Sequence, residues 1–245
     1  MSPAIYWTLV QARQMPLDYT EEFLSNPELL KLSGLRFPKR RDEWLLGRWA
    51  AKCLVQSISP YQGYSLDELE IRNTKNGAPF IQQPDGAVLA DSLSISHSHR
   101  FAVCALSLGP DFSIGADLEK IEPRSEAFSA DYFTPMEQEL VAYYPKEVRQ
   151  TATNLIWSMK ESMLKALGVG LRWDTRKVEV QKLEGLFPAS ANSGKWQKMQ
   201  IVDYQDRGRQ WAGWWLCRRD FVITLAGFAC TPMDLHSTHL VEKVL

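Results

Sequence analysis

The chain has 245 residues, 45% of them hydrophobic and nine of them tryptophan, so it can bury a sizeable core without disulfides or a structural metal. Its 28 lysines and arginines nearly balance 29 acidic residues, which argues against a general nucleic-acid-binding protein. The four cysteines form no CxxC pair and no apolar run reaches the ~18 residues of a membrane span, so we expect a cytoplasmic protein with reduced thiols and no membrane partner.

The first half of the chain predicts both strands and helices, with turns marked by glycine, asparagine and proline. The tight turn at Asn76-Gly77 favours a hairpin because its residues tolerate positive φ. In chain order, the predicted elements are a strand at 4–10, helical spacing over 18–32, a helix that Pro38 begins, a hairpin at 69–81 and two strands within 86–109 that meet near Ser96-His97-Ser98.

The second half predicts the same kinds of element. These are a strand in 113–120, a helix that Pro135 begins, a helix from Asn154 to Gly168, and strands within 171–183, 196–204, 210–219 and 221–229; the tail from Thr231 carries no clear pattern. FAVCALS (101–107) resembles FVITLAG (221–227), although any two buried strands look somewhat alike. We predict an α+β fold made of two similar halves, 1–110 and 111–245, with a ligand cleft between them.

The helix over 154–168 carries charged residues on a stripe that an ordinary core helix would fill with apolar side chains. Glu161 and Lys165 share this stripe with Trp157 and Leu164 at three- and four-residue spacing. The simple alternative is a solvated i,i+4 ion pair of ~0.2–0.5 kcal/mol. Gly168 ends the helix, as a left-handed C-cap requires.

A second acidic motif, GADLEK (115–120), places Asp117 and Glu119 two residues apart on one face of a strand. Exposed acids on a strand are common, but together with Glu161 they would form an oxygen-rich site for a hard cation. Mg²⁺ prefers a few carboxylates together with water and substrate phosphates. The three acids therefore predict a phosphorylated substrate.

The complementary positive charge lies within residues 36–52, the most basic stretch of the chain. Arginine and lysine bind phosphate through charge-assisted hydrogen bonds, although a solvated basic face is the alternative. His97, at the end of an apolar strand, could donate to a phosphate or act as an acid or base, and a structural role is its alternative. No GxSxG elbow or P-loop fingerprint surrounds these residues.

Six motifs in this order resemble one enzyme family. They are RFPKRRDEWLLGRWAAK, NGAPF, SISHS, IGADLEKIEPR, FTPMEQELV and WSMKESMLKALGVGL, which together cover roughly residues 36–173. The chain resembles the 4'-phosphopantetheinyl transferases of the surfactin-synthetase-activating type. That resemblance implies a Mg²⁺-dependent transfer of the 4'-phosphopantetheine arm of coenzyme A to a serine of an apo-acyl or peptidyl carrier protein, with release of adenosine 3',5'-bisphosphate. It also implies a monomeric pseudo-dimer with coenzyme A in the cleft.

The resemblance assigns roles to individual residues. Asp117, Glu119 and Glu161 would hold Mg²⁺, with Mn²⁺ as a possible substitute. Lys165 would contact the transferred phosphate, and Glu161 is the first choice of general base, with a metal-bound hydroxide as the alternative. The residues that would bind coenzyme A are Arg36, Arg40 or Arg41, Arg48, Asn76, Gly77, Pro79, Ser96, His97, Asp117 and Lys165.

Two positions depart from the family pattern. Ala78 stands where the family's loop has a lysine, so one basic contact to coenzyme A is missing or comes from Lys75, and Ala116 replaces the usual isoleucine. Exposed aromatic candidates for carrier docking are Tyr132, Phe133, Tyr143 and Tyr144, with core packing as the alternative for each. Two other functions remain open on the residues alone, a non-enzymatic binder of coenzyme A or a nucleotide and a metal-dependent phosphohydrolase.

Overall fold

The computed structural model of the chain describes residues 4–16, 20–89, 91–187, 194–229, 233–235 and 238–245. The elements of the first half are β1 (Ala4–Gln11), α1 (Thr20–Phe23), α2 (Asn26–Ser33), α3 (Pro38–Gln56), β2 (Glu70–Asn73), β3 (Pro79–Gln82), β4 (Ser92–Ser98) and β5 (Phe101–Ser107). Those of the second half are β6 (Phe112–Lys120), α4 (Glu126–Tyr132), α5 (Pro135–Tyr143), α6 (Lys146–Ala166), β7 (Val178–Leu183), β8 (Gln197–Asp203), β9 (Gln210–Arg218), β10 (Phe221–Ala229) and β11 (His239–Glu242).

The fold is α+β and its two halves repeat one arrangement, which confirms the predicted pseudo-dimer. One sheet has the order β11-β1-β5-β4 and the other β6-β10-β9-β8-β7, so the run β1-β5-β4 corresponds to β6-β10-β9. Helix α3 packs on the first sheet and α6 on the second. Phe101 and Phe221 begin the equivalent strands β5 and β10, and their rings meet at 5.0 Å between centroids.

A buried lysine–glutamate pair of the same construction stabilises each half. In both halves, a glutamate lies three residues after a helix N-cap. It accepts hydrogen bonds from a lysine of the long helix and from a backbone N–H of the following hairpin. The two sets are Ser25, Glu28, Lys52 and Ile71 in the first half, and Thr134, Glu137, Lys160 and Val180 in the second. Each lysine follows a tryptophan by three positions, Trp49 and Trp157. This shared polar core shows the duplication more clearly than the strand sequences do.

Several helix boundaries differ from the predicted ones. Helix α6 begins at Lys146, eight residues before the predicted Asn154, because Pro145 supplies its N-cap and the turns that follow are polar. The helical spacing over 18–32 divides into α1 and α2, because Ser25 and Glu28 form a capping box that starts a new helix. Asp18 itself lies outside the described residues. The short helix α4, capped by Ser125, was not predicted.

The C-terminal tail forms an element that its sequence does not predict. Strand β11 pairs in parallel with β1, so residues after the second sheet complete the first one. The predicted division at 110/111 remains a prediction, since β11 crosses it in space. Among the helices of the described residues, none is long and apolar enough to cross a membrane.

Candidate functional site

The candidate site lies where β6 and α6 pack against each other without an intervening side chain. Gly115 on β6 makes this possible, because a Cβ there would lie 1.8 Å from the backbone oxygen of Ser162 on α6. Two and four residues further along β6 come Asp117 and Glu119, opposite Glu161 on the helix. Because Gly115 has no side chain, β6 and α6 can approach closely, and this brings the predicted acids of the strand and the helix together.

The three acids form one cluster, as the sequence predicts. Asp117, Glu119 and Glu161 each offer a carboxylate oxygen, and these oxygens lie within 4.8 Å of one another. Burial, followed by the nearby charge of Asp117, raises the pKa of Glu161 to about 8. Burial and Asp117 also raise the pKa of Glu119, against the opposing charge of Arg124. This repulsion between carboxylates is what a bound cation would relieve.

Asp117 is buried, and its two oxygens have different surroundings. Oδ1 accepts hydrogen bonds from Ser96 Oγ at 2.8 Å and from Lys165 Nζ at 2.6 Å. Oδ2 is also buried and accepts no hydrogen bond from a nitrogen or hydroxyl of the described residues, whereas the carboxyl of a protonated Glu161 would donate to Asp117. A buried carboxylate oxygen without a partner is costly unless a cation or water satisfies it. The donor set therefore fits a divalent cation such as Mg²⁺.

Lys165 lies next to the acidic cluster. Its Nζ donates to Ser96 Oγ at 2.9 Å and to the backbone oxygen of Ala116 at 3.2 Å, and lies 3.7 Å from Glu161 Oε2. Burial alone would lower the pKa of Lys165, but Asp117 and Glu161 outweigh it and the pKa is raised. Lys165 therefore keeps a positive charge beside the space between the acids.

The Ser-His motif at the end of β4 contributes to two different places. Ser96 is buried and bridges the halves, because it contacts Asp117 and Lys165 from the first sheet. His97 is exposed, and its Nδ1 lies 4.0 Å from Glu43 Oε2. Together with Arg40 and four other residues it lines a cavity of about 690 Å³. Although the side chain reaches solvent, partial desolvation of the ring lowers the pKa of His97, and the nearby charge of Glu43 opposes this shift.

Arg48 points away from the acidic cluster. It is 5% exposed, its Nη2 donates to Asn73 Oδ1 at 2.6 Å, and its Nε lies 3.7 Å from Glu28 Oε1. The guanidinium also lies over the Trp44 ring, 5.1 Å from the centroid. In this arrangement Arg48 belongs to the buried polar core of the first half. The residues next to it in the sequence do not predict this burial.

The remaining residues that were predicted to bind coenzyme A lie outside the acidic cluster, in the NGAPF hairpin and near the start of α3. The hairpin turn holds Asn76, which is exposed, and Gly77, which has φ +92°. Pro79 lines a cavity of about 290 Å³ together with Ala78, Lys165 and the glycine that follows α6, so the NGAPF hairpin faces the lysine end of the site. Arg36, Arg40 and Arg41 are exposed near the start of α3.

Two residues that the sequence did not single out for the site hold Glu119 in place. Arg124 Nη2 donates to Oε2 at 2.9 Å, and Trp157 Nε1 donates to Oε1 at 3.2 Å. Trp157 lies on the predicted stripe one turn before Glu161, so the helical spacing predicts that both side chains lie on the same face of the helix. Arg124 lies in a loop, where spacing predicts no direction.

The four aromatic candidates for docking separate into two groups. Tyr132 and Tyr143 are exposed, at 39% and 83%, whereas Phe133 and Tyr144 are buried, at 1% and 7%. Phe133 and Tyr144 belong to the core between α6 and the second sheet. For these two residues the alternative of core packing holds, because each follows the last residue of its helix with an extended backbone and places its ring in the core.

Comparisons with known proteins point to one family. Residues 113–226 match the profile of the 4'-phosphopantetheinyl transferase superfamily. Over 98 residues the chain is 36% identical to the holo-(acyl-carrier-protein) synthase of Lactococcus lactis subsp. lactis, which covers 37% of this chain and 77% of that protein. It is 29% identical over 170 residues to the 4'-phosphopantetheinyl transferase HetI of Nostoc sp., covering 64% and 68% of the two chains. It is 36% identical over 121 residues to the 4'-phosphopantetheinyl transferase Sfp of Bacillus subtilis, covering 48% and 50%.

Proposed function

Because this chain belongs to the 4'-phosphopantetheinyl transferase superfamily, we propose that it transfers the 4'-phosphopantetheine arm of coenzyme A to a serine of an apo-carrier protein. The carrier is an acyl or peptidyl carrier protein, and adenosine 3',5'-bisphosphate is the second product. A relative named holo-(acyl-carrier-protein) synthase supports the acyl carrier as one partner class. The observation that carries the proposal is the cluster of three carboxylates around Lys165, where β6, α6 and β4 meet.

The proposed cofactor is Mg²⁺, for which Mn²⁺ can substitute, held by Asp117, Glu119 and Glu161. The buried Oδ2 of Asp117, which accepts no hydrogen bond from a nitrogen or hydroxyl of the described residues, and the raised pKa of Glu161 both support a cation there. When bound, such a cation would neutralise negative charge on the pyrophosphate of coenzyme A.

The chain's own residues supply the remaining chemistry. The serine Oγ of the carrier forms a bond to the phosphorus that carries the pantetheine arm, and the bond from that phosphorus to the bridging oxygen breaks. The leaving adenosine 3',5'-bisphosphate keeps the electron pair of the broken bond. Glu161 accepts the serine proton as the general base. Lys165 donates to the phosphoryl oxygens as their charge increases.

Coenzyme A would extend from this cluster toward the basic start of α3. The cavity shared by His97 and Arg40 supports a phosphate contact there. We propose that Arg36, Arg41 and the NGAPF hairpin also contact coenzyme A. Lys75 supplies the basic contact that a lysine in place of Ala78 would make. Arg48 would reach coenzyme A only after leaving Asn73, to which it donates in this structure. Both halves lie in one chain, which supports a monomer, and we propose a cytoplasmic location.

The decisive experiment incubates the protein with coenzyme A, MgCl₂ and either an apo-acyl carrier protein or an apo-peptidyl carrier domain. Intact-mass spectrometry of the carrier should show the addition of one phosphopantetheine arm, and a carrier with its acceptor serine changed to alanine should gain nothing. EDTA should abolish the gain. Release of phosphate or phosphopantetheine without a carrier would instead indicate a phosphohydrolase, and binding of coenzyme A without transfer would indicate a binding protein.

The variant Glu161→Gln tests the role of that residue. It removes both a cation ligand and the proton acceptor, so we expect transfer to fall by about 10²- to 10⁴-fold while the fold is kept. Circular dichroism provides the folding control. Near-normal transfer by a well-folded Glu161→Gln protein would remove Glu161 from the mechanism.

A further inference from the structure

Each of the two carboxylate oxygens of Glu119 accepts a hydrogen bond from a different side chain. Of the two groups that hold Glu119, one is charged, the Arg124 guanidinium on Oε2, and one is neutral, the Trp157 indole on Oε1. Each carboxylate oxygen keeps a second lone pair, so these hydrogen bonds orient the group without occupying it fully.

Arg124 is itself fixed by several contacts. Its Nε donates to Asn154 Oδ1 at 3.2 Å, and its guanidinium lies over the ring of Phe128, 5.1 Å from the centroid. Asn154 is buried and donates from Nδ2 to the backbone oxygens of Glu122 and Gln150, at 2.8 Å each. The Arg124 side chain therefore cannot rotate away from Glu119 without breaking its hydrogen bond to Asn154.

Trp157 belongs to the same assembly. Its ring meets those of Phe128 and Tyr132, each at 5.0 Å between centroids and nearly edge-on. The ring of Phe128 thus contacts both donors, the Arg124 guanidinium and the Trp157 indole, which bind the two oxygens of one carboxylate. An ordinary surface ion pair, such as Arg176 with Asp174, has no such support, because both partners are largely exposed.

We propose that Arg124 is a positioning residue that holds the Glu119 carboxylate in the orientation required for binding a divalent cation; this inference rests on the proposed function. The positive charge of Arg124 by itself would weaken cation binding through repulsion. The geometry favours a net strengthening of cation binding. A carboxylate that is already oriented loses less rotational entropy when the cation binds. Outer partners of metal ligands of this kind typically contribute 10- to 100-fold to metal affinity or activity.

The test measures Mn²⁺ binding directly, by electron paramagnetic resonance of the free ion, in wild type, Arg124→Gln, Arg124→Lys and the control Arg176→Gln. We expect Arg124→Gln to raise the Kd for Mn²⁺ about tenfold. Arg124→Lys should fall between it and wild type, since lysine keeps the charge but not the planar fork. Arg176→Gln should match wild type. Unchanged or tighter Mn²⁺ binding by Arg124→Gln would overturn the proposal.

A second measurement separates positioning from a structural role. In the transfer assay, titration of MgCl₂ should show a raised KM for Mg²⁺ in Arg124→Gln, with a smaller change in kcat at saturating Mg²⁺. A lowered kcat with an unchanged KM for Mg²⁺ contradicts the proposal. If Arg124→Gln does not fold, Arg124→Lys decides by the same two criteria. Should the wild type bind Mn²⁺ yet transfer nothing, the proposed function fails, while the Mn²⁺ comparison still decides the role of Arg124.

Discussion

At the scale of single residues, the protonation of Glu161 links the acidic cluster to pH. Its pKa is raised from an ordinary value of 4.5 to about 8, with burial as the largest cause and Asp117 as the next. Between these two values the folded protein binds a proton that the unfolded chain has released. The free energy of unfolding of the metal-free protein therefore falls as the pH rises through this window.

We predict that Mg²⁺ counteracts this loss. A cation needs the ionised carboxylates, so the rise in Tm on adding MgCl₂ should be larger at pH 8 than at pH 6. Differential scanning fluorimetry with EDTA or MgCl₂ at pH 6, 7 and 8 measures this directly. The control is Glu161→Gln, in which the pH dependence of the Mg²⁺ effect should be reduced. A Mg²⁺ effect that is larger at pH 6 would contradict the assignment.

The individual acids of the site could be predicted because short sequence spacings determine their direction. Asp117 and Glu119 alternate with the apolar Ala116 and Leu118 along a strand, and Glu161 and Lys165 are one helical turn apart. The partners of Arg48 could not be predicted in this way. They depend on contacts between segments remote in sequence, such as Arg48 with Glu28. Neither the two-residue period of a strand nor the 3.6-residue period of a helix predicts such contacts.

At the scale of elements, the contact between β6 and α6 determines the geometry of the cluster. The variant Gly115→Ala would insert a methyl group against the backbone of Ser162, which cannot move without displacing the helix. We predict a loss of about 1–3 kcal/mol in the free energy of unfolding, together with weaker Mn²⁺ binding. Urea denaturation and titration with Mn²⁺ measure the two effects.

The control for this variant is Gly63→Ala, where no heavy atom of the described residues lies within 4 Å of the added Cβ. It should change stability by no more than about 0.5 kcal/mol. Equal stability of the Gly115 and Gly63 variants would mean that the strand and helix separate easily. The elements themselves were largely predictable from periodicity, whereas the start of α6 was not, since its first turns are polar and carry no apolar stripe.

At the scale of the whole molecule, β11 ties the C-terminal segment to the first sheet. It forms a four-residue parallel ladder with β1, and Arg218 makes two hydrogen bonds to Glu242, at 2.7 and 3.1 Å. We predict that deleting residues 239–245 lowers the free energy of unfolding by several kcal/mol, since each net backbone hydrogen bond contributes about 0.5–1.5 kcal/mol and packing adds to this.

The matched control for the deletion is Glu242→Gln, which removes the charge but keeps the strand. An exposed ion pair of this kind contributes about 0–1 kcal/mol, so this variant should remain near wild type in urea denaturation. A deletion variant as stable as Glu242→Gln would show that β11 is dispensable. The duplication of the halves was predictable from two similar strands, whereas β11 was not, because a four-residue parallel strand has too short a pattern to identify.

The position of β11 in the chain also determines the order in which the protein can be completed during synthesis. Domains generally fold from the N-terminus as the ribosome releases them. Here the outer strand of the first sheet is translated after all of the second sheet, so β1 leaves the ribosome with one edge unpaired. An unpaired strand edge is a template for pairing with another chain. That edge of β1 therefore stays open to pairing with another chain until residue 242 has emerged, well after the acidic cluster has been synthesised.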